Sequence, residues 1–234
     1  MRILAIDTAT ASWSVALVDC DRLLAEFSGL RRETHSMHLM GTVHALLEVA
    51  QAKIQSVQGF AVTVGPGSFT GLRIGISTLK GLATALDKPC VGVSTLEALA
   101  CQFPHVPHPI WSVLDARKGQ VYAARFRWSR GGLVKEVTER AVLPSEWVCE
   151  LGGTSLFVGE GAQVYRQVIE ARLGREACFA PHWQNHIRAS SVAWLAGRRF
   201  LHQTTLPPEL LAPSYLREPD AEWNTQGPAL QAAR

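Results

Sequence analysis

The chain has 234 residues, 47% of them hydrophobic and 18% charged, with a formal net charge of +3. That length suits one large domain or two small packed ones, and so small a charge, carried partly by scattered pairs (Arg31-Arg32, Arg198-Arg199), argues against a nucleic-acid surface of its own. The five cysteines (Cys20, Cys90, Cys101, Cys149, Cys178) lack zinc-ligand spacing and predict reduced thiols in a cytosolic protein, the longest apolar runs fall far short of a membrane span, and the opening MRILAID is unlike a signal peptide.

Ile3 to Ile6 is a continuous apolar run, the pattern of a strand covered on both faces. Trp13, Val15 and Leu17 alternate with smaller or polar residues, and Leu23 to Phe27 follows an Asp-Arg turn, so a three-strand meander is expected. From Thr34 to Ala52 the period becomes helical. Phe60 to Val64 reads as a fourth strand, followed by the glycine loop GPGSFTG and a helix to about Leu86, which Asp87-Lys88-Pro89 ends. Cys90 to Val93 is a fifth strand, and Ser94 with Glu97 has capping-box spacing for a helix toward Cys101.

The proline-rich stretch Phe103 to Pro109 is the best domain junction, giving units 1–106 and 107–234. The second unit partly repeats the first: ILAID then SWSVALV is answered by SVLD then GQVYAARF. Each is an apolar strand ending in an aspartate (Asp7, Asp115), a polar turn and an alternating strand. A strand near Leu156–Val158 and helices near Gln163–Leu173 and Ser190–His202 complete the second unit, and the tail from Pro207 is left unassigned. The expected architecture is a duplicated α/β unit with the aspartates at strand ends, where open α/β sheets bind ligands.

The glycine loop fits neither phosphate-binding template. After Gly71 come Leu72 and Arg73, where a Walker loop needs lysine and a hydroxyl residue. Gly65, Gly67 and Gly71 are too widely spaced for a dinucleotide fingerprint, and Pro66 removes a donor. The amides of Gly67 to Thr70 at a helix start would still attract an anion. The failed matches favour a packing role: Gly71, Gly75, Thr78, Leu82 and Ala85 lie near one helical stripe, a smooth face that another helix can approach closely.

Four stretches, AIDTAT with SVAL (5–17), GPGSFTGLRIGISTLKGLA (65–83), GVSTLEALA (92–100) and DARKGQVYAA (115–124), resemble the bacterial TsaB family, formerly YeaZ. That family serves threonylcarbamoyladenosine biosynthesis on tRNA and carries the older label of inactive glycoprotease-like protein. The resemblance implies an actin/Hsp70/sugar-kinase-like (ASKHA) α/β fold of two duplicated domains, each a mixed sheet flanked by helices. It also implies a cytoplasmic, non-catalytic subunit that activates a TsaD-type transferase. A TsaE-type ATPase would join the larger complex, tRNA would be met only indirectly, and the chain alone would pair as a homodimer. In TsaD two histidines on the helix after the fifth strand hold a metal; here Thr95 and Leu99 stand at those positions, so that metal site is expected to be absent.

The family resemblance further implies docking through two helices. The candidates are His38, Leu39, Thr42, Val43 and Leu46 on the first, and Gly71, Arg73, Ile74, Gly75, Ser77 and Thr78 on the second. Burial within the chain's own core competes for the apolar members. A nucleotide pocket (ATP or ADP) completed at the partner interface would use Asp7, Thr8, Thr10, Asp115, Arg117 and Lys118, although turn capping accounts for both aspartates. A nucleotide-dependent kinase or hydrolase built on Asp7 and Asp115 is the rival enzyme reading, and a self-associating scaffold the rival binding reading. His35, His38, His44 and Glu48 do not make a complete metal set, and no nucleophile–base pair is legible.

Overall fold

The computed structural model describes residues 1–30 and 39–217. The first sheet comprises β1 (Arg2–Asp7), β2 (Ser12–Asp19), β3 (Arg22–Leu30), β4 (Gly59–Gly65) and β5 (Cys90–Ser94), in the order β3-β2-β1-β4-β5. The β1–β2 and β2–β3 pairs are antiparallel; β1–β4 and β4–β5 are parallel. The second sheet comprises β6 (Ile110–Arg117), β7 (Gln120–Ser129), β8 (Gly132–Val142), β9 (Ser155–Val158) and β10 (Ala177–Phe179). Its order, β10-β9-β6-β7-β8, repeats the first sheet with the same parallel and antiparallel pairs. The sequence repeat is therefore a repeat of topology.

Helices complete five layers. On the outer face of the first sheet lie α1 (Leu39–Val49) and α2 (Phe69–Leu86). Between the sheets lie α3 (Thr95–Cys101) and α7 (Ala189–Leu201). Beyond the second sheet lie α4 (Pro144–Cys149), α5 (Glu160–Val164) and α6 (Arg166–Leu173). The strand period of two sorts the side chains. In β1, Ile3 and Ala5 enter the central layer while Leu4 and Ile6 meet α1 and α2. In β6, Ile110 and Leu114 enter the central layer while Trp111 and Val113 face outward, where Trp147 of α4 meets Trp111 edge-on at 5.7 Å.

Three features depart from the sequence expectation. Helix α7, assigned by chain position to the second half, packs across β1, β2, β4 and β5 of the first sheet. The small residues Ala5, Ala16 and Ala61 on that face allow its close approach. β8 and β10 carry no clear alternation because both are edge strands; β8 is held partly by charge, with Glu136 in an ion pair with Arg125 at 2.9 Å and accepting from Arg127 at 2.5 Å. The capping box at α3 is half formed. Ser94 Oγ accepts from the Glu97 amide at 3.2 Å, but the Glu97 carboxylate accepts from Arg199 of α7 at 2.6 Å.

The start of α7 has no side-chain cap of its own. Glu26, on β3, supplies one from across the fold: its carboxylate accepts from the Ser190 amide at 2.9 Å and from Arg188 Nε and Nη2 at 2.9 and 2.6 Å. Its side chain is only 7% exposed, whereas Arg188 is largely solvated, so the amide bond at the helix terminus matters most. Glu26→Ala should therefore lower the unfolding free energy by about 1–3 kcal/mol in urea titration, with Glu26→Gln recovering part of it.

Candidate functional site

β4 delivers the chain into the glycine loop, and Ser68 caps α2 by accepting from the Gly71 amide at 3.2 Å. The Ser68 amide donates in turn to the Ala9 carbonyl at 2.7 Å, so part of the expected anion-binding edge is already spent on the β1–β2 turn. A methyl group at Gly67 would overlap the Ala9 carbonyl oxygen, one at Gly71 the Thr8 carbonyl oxygen, and one at Gly75 the Thr8 hydroxyl. Thr8 Oγ1 donates to the Gly71 carbonyl at 2.7 Å. The glycines do serve close packing, but their neighbour is the β1–β2 turn of the same chain and not another helix.

That seam corrects the expected docking residues. Gly71 and Gly75 are buried and face inward, so neither reaches a partner. Leu39, Val43 and Leu46 are also core residues, packed between α1 and the first sheet. Thr42 is half-buried, and His38, with His35, lies outside the described residues. Arg73 and Ser77 are exposed, and Ile74 and Thr78 are half-buried on the outward side of α2. A groove of about 410 Å³ runs there, lined by Phe69, Thr70, Arg73, Ile74, Ser77 and Thr78. Phe69 and Thr70 were missed by sequence reasoning, although stepping back four residues from Arg73 and Ile74 reaches them. The Arg73 guanidinium lies 3.9 Å from the Phe69 ring centroid.

The expected nucleotide residues do not come together as an open pocket. Asp7 is wholly buried; Oδ1 accepts from Thr63 Oγ1 at 2.6 Å and the Ala9 amide at 3.2 Å, while Oδ2 has no hydrogen-bond partner among the described residues. Thr8 is enclosed by the seam, and Thr10 Oγ1 lies 2.9 Å from Ser12 Oγ. Asp115, the repeat equivalent of Asp7, is exposed and caps its own turn, accepting from the Arg117 amide at 2.8 Å. A bulge precedes that turn, and Arg117, Lys118 and Gly119 all have left-handed backbones, with φ of 59°, 50° and 74°. The two aspartates thus share a place in the topology but not an environment: one is sealed and the other faces solvent.

Where the resemblance puts a metal in the transferase, Thr95 and Leu99 are wholly buried, and Leu99 belongs to the core between the sheets. Of the histidine set, His44 pairs with Glu48 at 3.4 Å on the exposed side of α1. Among the described residues no three His, Cys, Asp or Glu side chains gather to hold a metal, and no helix is long and apolar enough to cross a membrane.

Residues 29–225 match the family described as TsaD: tRNA N6-adenosine threonylcarbamoyltransferase. The chain is 34% identical over 228 residues to the tRNA threonylcarbamoyladenosine biosynthesis protein TsaB of Bacillus subtilis, covering 95% of this chain and 98% of that one. It is 33% identical over 225 residues to the protein of the same name from Escherichia coli, covering 93% and 95%. Among solved structures, YeaZ from Pseudomonas aeruginosa superposes with a TM-score of 0.80 at 27% identity, covering 92% of this chain and 99% of that one. Component A of the (R)-2-hydroxyglutaryl-CoA dehydratase of Acidaminococcus fermentans, at 13% identity and a TM-score of 0.51 over 85% of this chain and 98% of that one, shares the fold.

Two measurements test the seam and the sealed carboxyl. Gly75→Ala should destabilise the chain by about 1–3 kcal/mol through overpacking, and Thr8→Ala in the same chain should relieve part of that cost in urea unfolding. Burial pushes the Asp7 carboxyl up to about 7, against the hydrogen bonds from Thr63 and Ala9 that favour its charged form. In the unfolded chain it titrates near ~3.9, so from about pH 4 to 7 the folded state keeps a proton that the unfolded state has lost. Asp7 is most compatible with the fold below that window, and its contribution falls as pH rises through it. Asp7→Asn should flatten the dependence, gaining on the parent by on the order of 3–4 kcal/mol across the window, read as melting temperature against pH.

Proposed function

Because the chain belongs to the TsaB family of tRNA threonylcarbamoyladenosine biosynthesis proteins, we propose that it serves this modification as a docking subunit of a TsaD-type transferase, without carrying the transfer itself. What supports the reading is a division of surfaces. The sealed Asp7 and the buried Thr95 and Leu99 offer little to a metal or a nucleotide, since threonine is a poor ligand for a transition metal and leucine is none. The outward side of α2, by contrast, combines an aromatic ring, a guanidinium, an aliphatic side chain and short hydroxyl residues around one groove. That mixture suits a protein partner: aromatic residues and arginine carry much of the energy of interfaces, and short side chains let another helix come near.

The TsaD match over residues 29–225 supports a partner built on a related fold, presenting a comparable helix face. The docking surface is accordingly narrower than the resemblance implied. Its members on α2 are Phe69, Thr70, Arg73, Ile74, Ser77 and Thr78, while the buried apolar side of α1 supports the helix from within.

Ser77 lies in the groove and is exposed, so a long charged side chain there leaves the core untouched. Ser77→Arg should weaken binding to the TsaD-type transferase at least about a hundredfold, on the order of 2.7 kcal/mol, and reduce tRNA modification in a reconstituted reaction. Gly81→Ala, at an exposed position on the same helix where a methyl meets nothing, should bind normally. Calorimetric titration reads both; unchanged affinity for the arginine variant means that docking occurs elsewhere.

A further inference from the structure

The chain after α7 returns to the first sheet and then crosses toward the second. Leu206 exchanges backbone hydrogen bonds with Cys90, its amide donating at 2.9 Å and its carbonyl accepting at 3.3 Å, and so covers the outer edge of β5. Lys80 of α2 donates to the carbonyls of Glu209 and Leu211 at 3.1 and 3.2 Å, and the Leu211 side chain is buried in the α1–α2 core. The Ser214 amide donates to the Val64 carbonyl at 2.7 Å, and the Ser214 carbonyl lies where a Cβ at Gly65 would stand. Arg217 then donates to the Ala116 carbonyl on β6 at 3.1 Å. This strap is fastened at intervals, with anchors on both sides of Tyr215.

Tyr215 is set against the rim of the groove. Its ring stacks on Phe69, with centroids 5.3 Å apart and planes 28° from parallel. Its hydroxyl accepts from Arg73 Nε at 3.2 Å. Phe69 remains 38% exposed and Tyr215 37% exposed, so both keep an outer surface for a partner. We propose that the strap is a working part of the docking face, with Tyr215, Phe69 and Arg73 forming a preorganised anchor for the transferase. The inference rests on the docking reading above and extends it to a segment far from α2 in sequence. Its physical basis is that side chains ordered before binding lose less freedom on association, and that Tyr and Arg are over-represented where interface energy concentrates.

Calorimetric titration of the full chain with the TsaD-type transferase tests it. Tyr215→Ala should weaken binding by about tenfold or more, the range of anchor truncations. Tyr215→Phe, which keeps the ring but removes the acceptor for Arg73 Nε, should lose less, about threefold. In amide hydrogen exchange of the unaltered chain, the Leu211 and Ser214 amides should exchange more slowly once the complex forms. Unchanged or tighter binding of Tyr215→Ala, or faster exchange of those amides, overturns the proposal; the last two results would identify the strap as a cover that leaves on docking. Ser77→Arg separates the two levels. If it abolishes binding while Tyr215→Ala does not, only the role of the strap falls. If neither variant matters, the docking reading falls first.

Discussion

The contact on which the rest depends is the seam between α2 and the β1–β2 turn. Gly67, Gly71 and Gly75 bring the loop and helix backbone directly onto Thr8 and Ala9, and the Thr8 hydroxyl bonds the Gly71 carbonyl. Glycine inside a helix costs roughly 0.5–1 kcal/mol relative to alanine, and here that cost is offset by a close backbone approach no larger residue permits. With the glycine side of α2 fixed inward, the opposite side is free to carry Phe69, Arg73 and Ser77 as a surface. One helix thereby closes over the first sheet and presents the groove proposed for docking.

The same contact separates the fates of the two repeats. In the first, the turn after β1 is closed over, Asp7 is stripped of water, and its carboxyl is held in a protein interior that disfavours charge. In the second, α5 also comes close, a methyl at Gly161 meeting the Leu114–Asp115 backbone, but Arg117, Lys118 and Gly119 beyond it stay exposed. Asp115 stays at the surface and stabilises a left-handed Arg117-Lys118-Gly119 turn. Duplicated topology therefore did not preserve duplicated surroundings for the two aspartates.

Long-range returns of the chain bind the layers together. α7 fills the space between the sheets, is capped by Glu26 from β3, and reaches Glu97 of α3 through Arg199. The strap that follows borders β5, braces α2 and ends at β6. Both touch elements on either side of the Phe103–Pro109 stretch. Tyr215 and Arg73 are separated by 142 positions, and only this return makes them neighbours.

The amino-acid sequence by itself determined what depends on near neighbours. The apolar run of β1, the Ser68 and Ser94 caps, the end of α2 at Asp87 and the repeat of strand, aspartate, turn and strand are local patterns set by side-chain period and backbone preference. Edge strands β8 and β10 escaped because half-exposed strands need no strict alternation. What the tertiary structure alone decided is direction. A small or apolar residue is equally compatible with an outer face and an inner one. Gly75 and Val43 proved to face the core, and Phe69 the surface, because burial depends on which distant segment folds against each side.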